Sequence, residues 1–378
     1  MEAEVTIHDV AFGGAGVGRL PDGKIVFVPY TITGETVRIR ITSSTRDFAR
    51  AELLTVLIPS PHRVSPPCPY FGRCGGCAYQ HIAYEEQVRI KVKQLRDMLT
   101  RIGKCNLLPP IHVEAAPHPY GYRNKIVVHR GPVGQIGFYA TDHRTVIDIE
   151  QCLIASQAVN TRLMAVRHSS RVPRHLEISD PEQRAGTPPG SFYQVHTAMA
   201  HRLLAWIRTQ VLEQEAATLV DLYCGAGFFS LGMADIFASV YGIDRDAQAI
   251  QRAQMQSQGA EHVHFSASTV EEGLDAIFAK PLPAPITLLV DPPREGVDKR
   301  VITRLGQRGD MTQLIYVSCN PATLARDLQR FLQAAEQDSS PGRYRLVALG
   351  LFDMFPQTAH IEAVAIVRRE SSHETGRL

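Results

Sequence analysis

From about residue 216 onward, short apolar segments alternate with helical ones, and no other feature limits the possible folds of this chain so strongly. Residues 218–222, 240–243, 262–265, 287–290 and 314–317 are predicted strands, with helices such as 247–258 and 321–334 among them. Strands that are apolar throughout need cover on both faces, and a parallel sheet flanked by helices supplies it. The class is therefore α/β. The last stretch breaks the rhythm: residues 345–351 and 361–367 read as two successive strands, expected as an antiparallel edge pair.

The 378 residues exceed one domain of ~150 residues by a wide margin. Residues 1–58 are rich in short Val- and Ile-containing runs separated by Gly13, Gly14, Gly16, Gly18 and Gly23, which suits a small β-barrel with no open edge. Five prolines in residues 59–69 mark a boundary. Over residues 82–104, Val88, Val92, Leu95, Leu99 and Ile102 form one helical stripe, with Arg89, Lys91, Lys93 and Arg96 off it. Residues 125–129, 135–139 and 145–149 return to strand-like patterning, and Thr187-Pro188-Pro189-Gly190 is a second break. The expected units are a barrel over 1–58, a small central α+β unit over 59–81 and 110–186, and a Rossmann-like unit over 187–372 that ends in a tail, 373–378. Residues 82–109 would form a helix packed on the Rossmann-like unit.

Net charge says little, since 40 basic side chains face 38 acidic ones. Its distribution says more: residues 61–130 hold 11 Lys and Arg against 4 Asp and Glu. That segment either faces phosphates or is a solvated helix face. No apolar run approaches the ~18 residues of a membrane helix, and Met1-Glu2-Ala3-Glu4-Val5 does not read as a signal peptide. A cytoplasmic protein with no membrane partner is expected. Seven cysteines there are not a disulfide framework. Cys68, Cys74 and Cys77 crowd together, which suggests a metal site completed from elsewhere.

Three places invite chemistry. Asp221-Leu222-Tyr223-Cys224-Gly225-Ala226-Gly227 follows the first parallel strand, and Asp244 ends the second; such a loop and acid suit a nucleoside-containing cofactor, or simply a tight turn. Ser230 stands where a dinucleotide fingerprint has its third glycine, so adenosylmethionine fits better than NAD. Asp291-Pro292-Pro293-Arg294 and Ser318-Cys319-Asn320-Pro321 follow the fourth and fifth strands, at the edge where α/β sheets bind ligands. Cys319 would sit by a helix N-terminus that favours its thiolate, unless it is an inert buried thiol. His360 and Glu362 share one face of the last strand, either as a proton-transfer pair or as an exposed edge.

These pieces resemble the class I, adenosylmethionine-dependent RNA (uracil-5-)-methyltransferases. The resemblance rests on Ser191-Phe192-Tyr193-Gln194-Val195, residues 221–229, Asp291–Arg294, 318–324 and 360–364, in the family's order. The N-terminal region resembles the TRAM domain, a small OB-like RNA-binding barrel. Cys68-x5-Cys74-x2-Cys77, with Cys152 far downstream, resembles the 4Fe–4S site of the family's ribosomal-RNA members, although thiolates would also suit zinc.

The resemblance implies that Cys319 is the nucleophile and Glu362 the proton acceptor in methylation of carbon 5 of a uridine. It also implies that Gln194, Tyr223, Gly225, Gly227, Asp244 and Asp291 bind S-adenosylmethionine. Phe228 and Asp244 depart from the Asn and Glu common in the family. RNA is the implied partner, 23S ribosomal RNA ahead of transfer RNA, and the protein is expected to be a monomer. The basic helix and Arg123-Asn124-Lys125 are candidate RNA contacts. Competing readings are a catalytically silent Fe–S RNA-binding module and an amino-group methyltransferase, which would need no Cys319.

Overall fold

The computed structural model describes residues 1–169, 172–182, 194–213, 217–336 and 343–370. The expected Ser191-Phe192-Tyr193 and the tail 373–378 lie outside the described residues. Strands β1 (Glu2–Val10), β2 (Ala15–Arg19), β3 (Ile25–Pro29), β4 (Thr36–Ser44) and β5 (Phe48–Ile58) close into a barrel in the order β1-β2-β3-β5-β4. Alternation makes this possible: Val5, Ile7, Val26, Val28, Val37 and Ile39 fill the interior, while Arg38 and Arg40 pair outside with Glu4 and Glu52.

Helix α1 (Tyr84–Arg101) and strand β6 (Ile111–Glu114) come next. Strands β7 (Lys125–Arg130), β8 (Ile136–Tyr139) and β9 (Val146–Asp148) match the three predicted ones closely. Helix α2 (Gln157–Arg167) and strand β10 (His175–Ser179) complete a four-stranded sheet in the order β10-β7-β8-β9. Neither was foreseen. The buried face of α2 contains Asn160 beside Val159 and Leu163, so its apolar stripe is too broken to read.

The second half alternates helix and strand: α3 (Thr197–Leu212), β11 (Thr218–Leu222), α4 (Phe228–Gly232), β12 (Ser239–Asp244), α5 (Ala247–Gln256), β13 (Val263–Ala267), α6 (Val270–Phe278), β14 (Ile286–Val290), α7 (Lys299–Gly306), β15 (Met311–Ser318) and α8 (Pro321–Glu336). Two strands follow, β16 (Tyr344–Phe352) and β17 (Glu362–Arg369). The sheet order is β13-β12-β11-β14-β15-β17-β16-β6. All five strands from β11 to β15 are parallel, as expected. The antiparallel pair is not the edge, however. Strand β17 lies between β15 and β16, and β6, from the stretch assigned to the central unit, pairs parallel with β16 and covers it. A four-residue strand whose partner lies over two hundred positions away leaves no local pattern.

Helices α1, α6, α7 and α8 pack on one face of the sheet and α3 and α4 on the other. The order reverses between β11 and β14, which opens a crevice at the carboxyl ends of the parallel strands.

Helix α1 departs most from expectation. Leu95 and Leu99 are buried as predicted, but so are Gln87, Lys91 and Gln94, while Ile102 is exposed. Lys91, expected on the polar side, is wholly enclosed and donates to Asp353 Oδ1 at 2.7 Å and Phe355 O at 3.0 Å. Lys93 pairs with Asp9 and Asp97, and Arg89 with Glu86. Of the four basic side chains expected to face phosphates, Lys91 is removed altogether and two are already ion-paired. The helix crosses irregular backbone, whose buried polar groups need polar partners.

Candidate active site

The crevice is built from loops that follow the parallel strands. After β11, Tyr223, Gly225 and Gly227 adopt φ of 65°, 54° and 84°. A non-glycine residue at positive φ is strained, and such strain concentrates at functional turns. A Cβ on Gly227 would lie 2.9 Å from the Phe265 ring, so no side chain fits there, whereas Gly225 faces open space. Asp244, ending β12, braces this loop: its Oδ2 accepts from Gly225 N at 2.9 Å and its Oδ1 from Asp246 N at 2.8 Å.

Inside β11, Asp221 is fully buried and accepts from both the hydroxyl and the backbone N–H of Ser230. Ser230, notable in the sequence only as a missing glycine, is thus the polar anchor of α4. The other oxygen of Asp221 is buried without a partner, and burial pushes its pKa up to about 7. An acid in an otherwise apolar strand was the signal that could have marked it. Phe228, standing where the family often has Asn, packs edge-on against Phe229.

Strand pairing brings Cys319 and Glu362 to the same edge of the sheet. Strands β15 and β17 pair Val317 with Val364 and Ser318 with Ala363, so Cys319, just past the last pair, and Glu362, at the start of β17, lie at neighbouring strand ends, near enough for the carboxyl group to act on the thiol. Asp291 follows β14, the neighbour on the other side of β15, and its N–H donates to Leu222 O at 3.3 Å.

Electrostatics run against one expectation. Burial first, then Glu362 and Asp291, push the Cys319 thiol up to about 11, and Arg294 opposes them. Two carboxyl groups and desolvation outweigh the start of α8, so the free protein does not stabilise the thiolate. Glu362 is raised well above the usual carboxylate range by burial and by Asp291. Asp291, still partly open to the crevice, is raised by burial as well.

The Asp291–Arg294 loop is tied to α8. Arg294 O accepts from Asn320 Nδ2 at 3.0 Å and Thr323 Oγ1 at 3.3 Å, and Asp327 accepts from Val297 N and Tyr316 Oη, both at 2.8 Å. Arg294 Nη2 lies 3.3 Å from His360 Nδ1. His360 keeps an outer edge in solvent while crowding, then Arg294, pushes its pKa down to about 4.

The expected Arg123-Asn124-Lys125 segment also makes contacts within the fold. Asn124 is buried and donates to Gln194 O at 3.0 Å and Thr197 Oγ1 at 2.9 Å, which anchors Gln194 near the start of α3. Lys125 pairs with Glu177, and Arg123 donates to Lys125 O. These residues therefore tie elements together, and Asn124 presents nothing to a nucleic acid.

Cys68, Cys74, Cys77 and Cys152 line one cavity of about 290 Å³, beside Arg123 and Tyr139. Burial, reinforced by neighbouring thiols, raises Cys77 to about 12 and Cys152 to about 11. None of the seven cysteines is in a disulfide. Among the described residues, no three His, Cys, Asp or Glu side chains converge to hold a metal ion. No helix among them is long and apolar enough to cross a membrane.

A family model described as tRNA (uracil-5-)-methyltransferase matches residues 142–280 and 284–370, and a TRAM-domain model matches residues 2–54. An uncharacterized RNA methyltransferase of Thermosynechococcus vestitus is 29% identical, covering 96% of this chain and 97% of its own. A 23S rRNA (uracil(1939)-C(5))-methyltransferase of Acidithiobacillus ferrooxidans is 31% identical, with 97% of each chain covered. The crystal structure of Pyrococcus abyssi tRNA (uracil-54, C5)-methyltransferase, in complex with S-adenosyl-L-homocysteine, has the same fold. Its TM-score is 0.71 over 97% of this chain and 100% of that one, at 20% identity.

Proposed function

The chain belongs to the tRNA (uracil-5-)-methyltransferase family, and from that premise we propose that it methylates carbon 5 of a uridine in 23S ribosomal RNA through a transient bond from Cys319 to carbon 6. The reading is supported by the β15–β17 register, which ends with Ser318 beside Ala363 and so leaves Cys319 and Glu362 at neighbouring strand ends. The preference for ribosomal RNA is supported by the relative from Acidithiobacillus ferrooxidans and by its coverage of the whole chain.

Carbon 5 of uracil is a weak nucleophile. A thiolate adding to carbon 6 moves an electron pair onto carbon 5, which can then form a new carbon–carbon bond. Glu362 takes the carbon 5 proton, the double bond re-forms, and the Cys319 sulfur leaves with its electrons. This is nucleophilic catalysis with a separate general base. When bound, S-adenosylmethionine would supply the electrophilic methyl group and a positive charge. The crevice fits such a ligand: Gly225 faces open space, and Asp221 keeps an unpartnered buried oxygen. Gln194, Tyr223, Gly225, Gly227, Asp244 and Asp291 would hold it. Its charge would favour the ionised forms of Asp291, Glu362 and Cys319, which addition and proton removal both require. The target base must leave its stack to reach Cys319.

Cys68, Cys74, Cys77 and Cys152 are assigned to a 4Fe–4S cluster. Four thiols lining one cavity support this. The cluster would supply cross-linking of the central sheet to the cysteine loop, since the reaction moves no single electrons.

Mapping 5-methyluridine in RNA from cells with and without the protein tests the reading. One 23S position should lose the modification. Loss confined to transfer RNA would move the target, and an unchanged map would sink the proposal.

A further inference from the structure

Glu362 is delivered by an irregular, mostly buried connection, residues 353–361, between β16 and β17. Its outward hydrogen bonds run mainly to residues before position 123. Asp353 accepts from Lys91 Nζ at 2.7 Å and Tyr84 Oη at 2.9 Å, and its N–H donates to Glu114 O at 2.9 Å. Phe355 O accepts from Lys91, and Pro356 O from Tyr122 Oη at 3.0 Å. Gln357 stands at φ 68°, its side chain and N–H bonded to Gln87 and its carbonyl accepting from Ala78 and Tyr79 N–H.

The same helix grips the barrel. Gln94 Nε2 donates to Val10 O and Ala11 O, both at 2.9 Å, and Lys93 pairs with Asp9. Gly14, at the turn between β1 and β2, packs so closely on this connection that a Cβ there would lie 3.2 Å from Ala359 Cβ. Successive turns of α1 thus hold the barrel and the approach to Glu362.

We propose that the enclosed Lys91–Asp353 ion pair positions Glu362, so that residues outside the methyltransferase sheet complete its active site. Neither side chain touches the reacting atoms. Both act by fixing where β17 begins, beside the end of β15 that precedes Cys319. This inference rests on the covalent reading above.

The full chain carrying Lys91→Met with Asp353→Leu tests it. Removing both charges together leaves no unpaired charge inside the protein. Because Glu362 acts after methyl transfer, its misplacement should spare formation of the Cys319 bond and slow only release. The variant should still become linked to 5-fluorouridine RNA. On ordinary uridine RNA its turnover should fall roughly 100-fold, the scale of a 1 Å misplacement. A denaturation-resistant protein–RNA species should accumulate, with KM for S-adenosylmethionine unchanged. Gln87→Leu, which frees Gln357 without touching a charge, should show the same accumulation with a smaller fall and serves if the double variant does not fold. Wild-type turnover in a folded variant overturns the proposal, as does parallel loss of turnover and 5-fluorouridine linkage. A wild-type protein that never links to 5-fluorouridine RNA overturns the covalent reading itself, and this inference with it.

Discussion

Two groups of cysteines in this molecule share a problem and differ in its solution. Cys319 stands at the end of β15 among two carboxyl groups, with Arg294 as its countering cation. Cys77 and Cys152 line a cavity whose other thiols make ionisation harder still. Burial is the first cause of the raised pKa in all three. Each site needs positive charge that the folded chain does not fully provide. At Cys319 the charge would come and go with a cationic methyl donor, leaving the sulfur free to bond carbon. At the four-cysteine cavity it would be iron held permanently, which removes those sulfurs from chemistry. On the proposed reading, what neutralises each thiolate, rather than how buried the thiol is, separates the reactive cysteine from the others.

The sharpest way to break this comparison is Cys319→Ala. Loss of the sulfur should drop 5-methyluridine formation to background and abolish linkage to 5-fluorouridine RNA; retained methylation would identify an amino-group chemistry instead. Next in size is Cys77→Ser. It should lower bound iron, read by absorbance and metal analysis, and lower the melting temperature, because ligand binding energy is part of the folding energy of such a site. Protein that remains folded should still link to 5-fluorouridine RNA. Equal iron content in wild type and variant would refute the cluster assignment.

The pH dependence sharpens the Cys319 side. Asp291 and Glu362 are raised, so the free protein holds a proton there near neutrality. A cationic ligand favours loss of that proton, so S-adenosylmethionine should bind more tightly as pH rises from about 6 to about 8, with protons released in calorimetry. Stability of the free protein runs the other way. Asp221 binds its proton more tightly folded than unfolded, so its contribution falls as pH rises from its ordinary 3.8 toward about 7. Affinity that is flat across the first window would remove the proposed link between ligand and carboxyl pair. The smallest effect belongs to Arg294→Lys. A lysine cannot keep the planar guanidinium's place by His360, so the pH midpoint of Cys319 alkylation should rise by about one unit or less.

Much of the site was legible because of how parallel sheets are built. Strands β11, β12, β14 and β15 are largely apolar, Asp221 being an exception, and the polar residues that end or follow them, Tyr223, Asp244, Asp291 and Cys319, are carried to one edge by topology alone. Glu362 joined them because an antiparallel strand beginning at that edge returns beside β15. The residues that support the site were not legible. Ser230 looked like a defect in a glycine pattern. Lys91 looked like a solvent-facing charge, since helical periodicity counts apolar side chains and treats every lysine as outward. The raised Cys319 pKa was hidden too, because the opposing carboxyl groups come from other strands.

The sequence by itself determined the parallel sheet, the barrel, the tight turn after β11 and the candidates for the reacting side chains. Each of these depends on residue type at local spacing, which backbone geometry converts directly into shape. Only the tertiary structure decided that Lys91 faces inward to Asp353, 262 positions away, and that β6 covers β16. Those outcomes depend on which buried polar groups find partners once distant segments meet, and a linear pattern carries no record of that meeting.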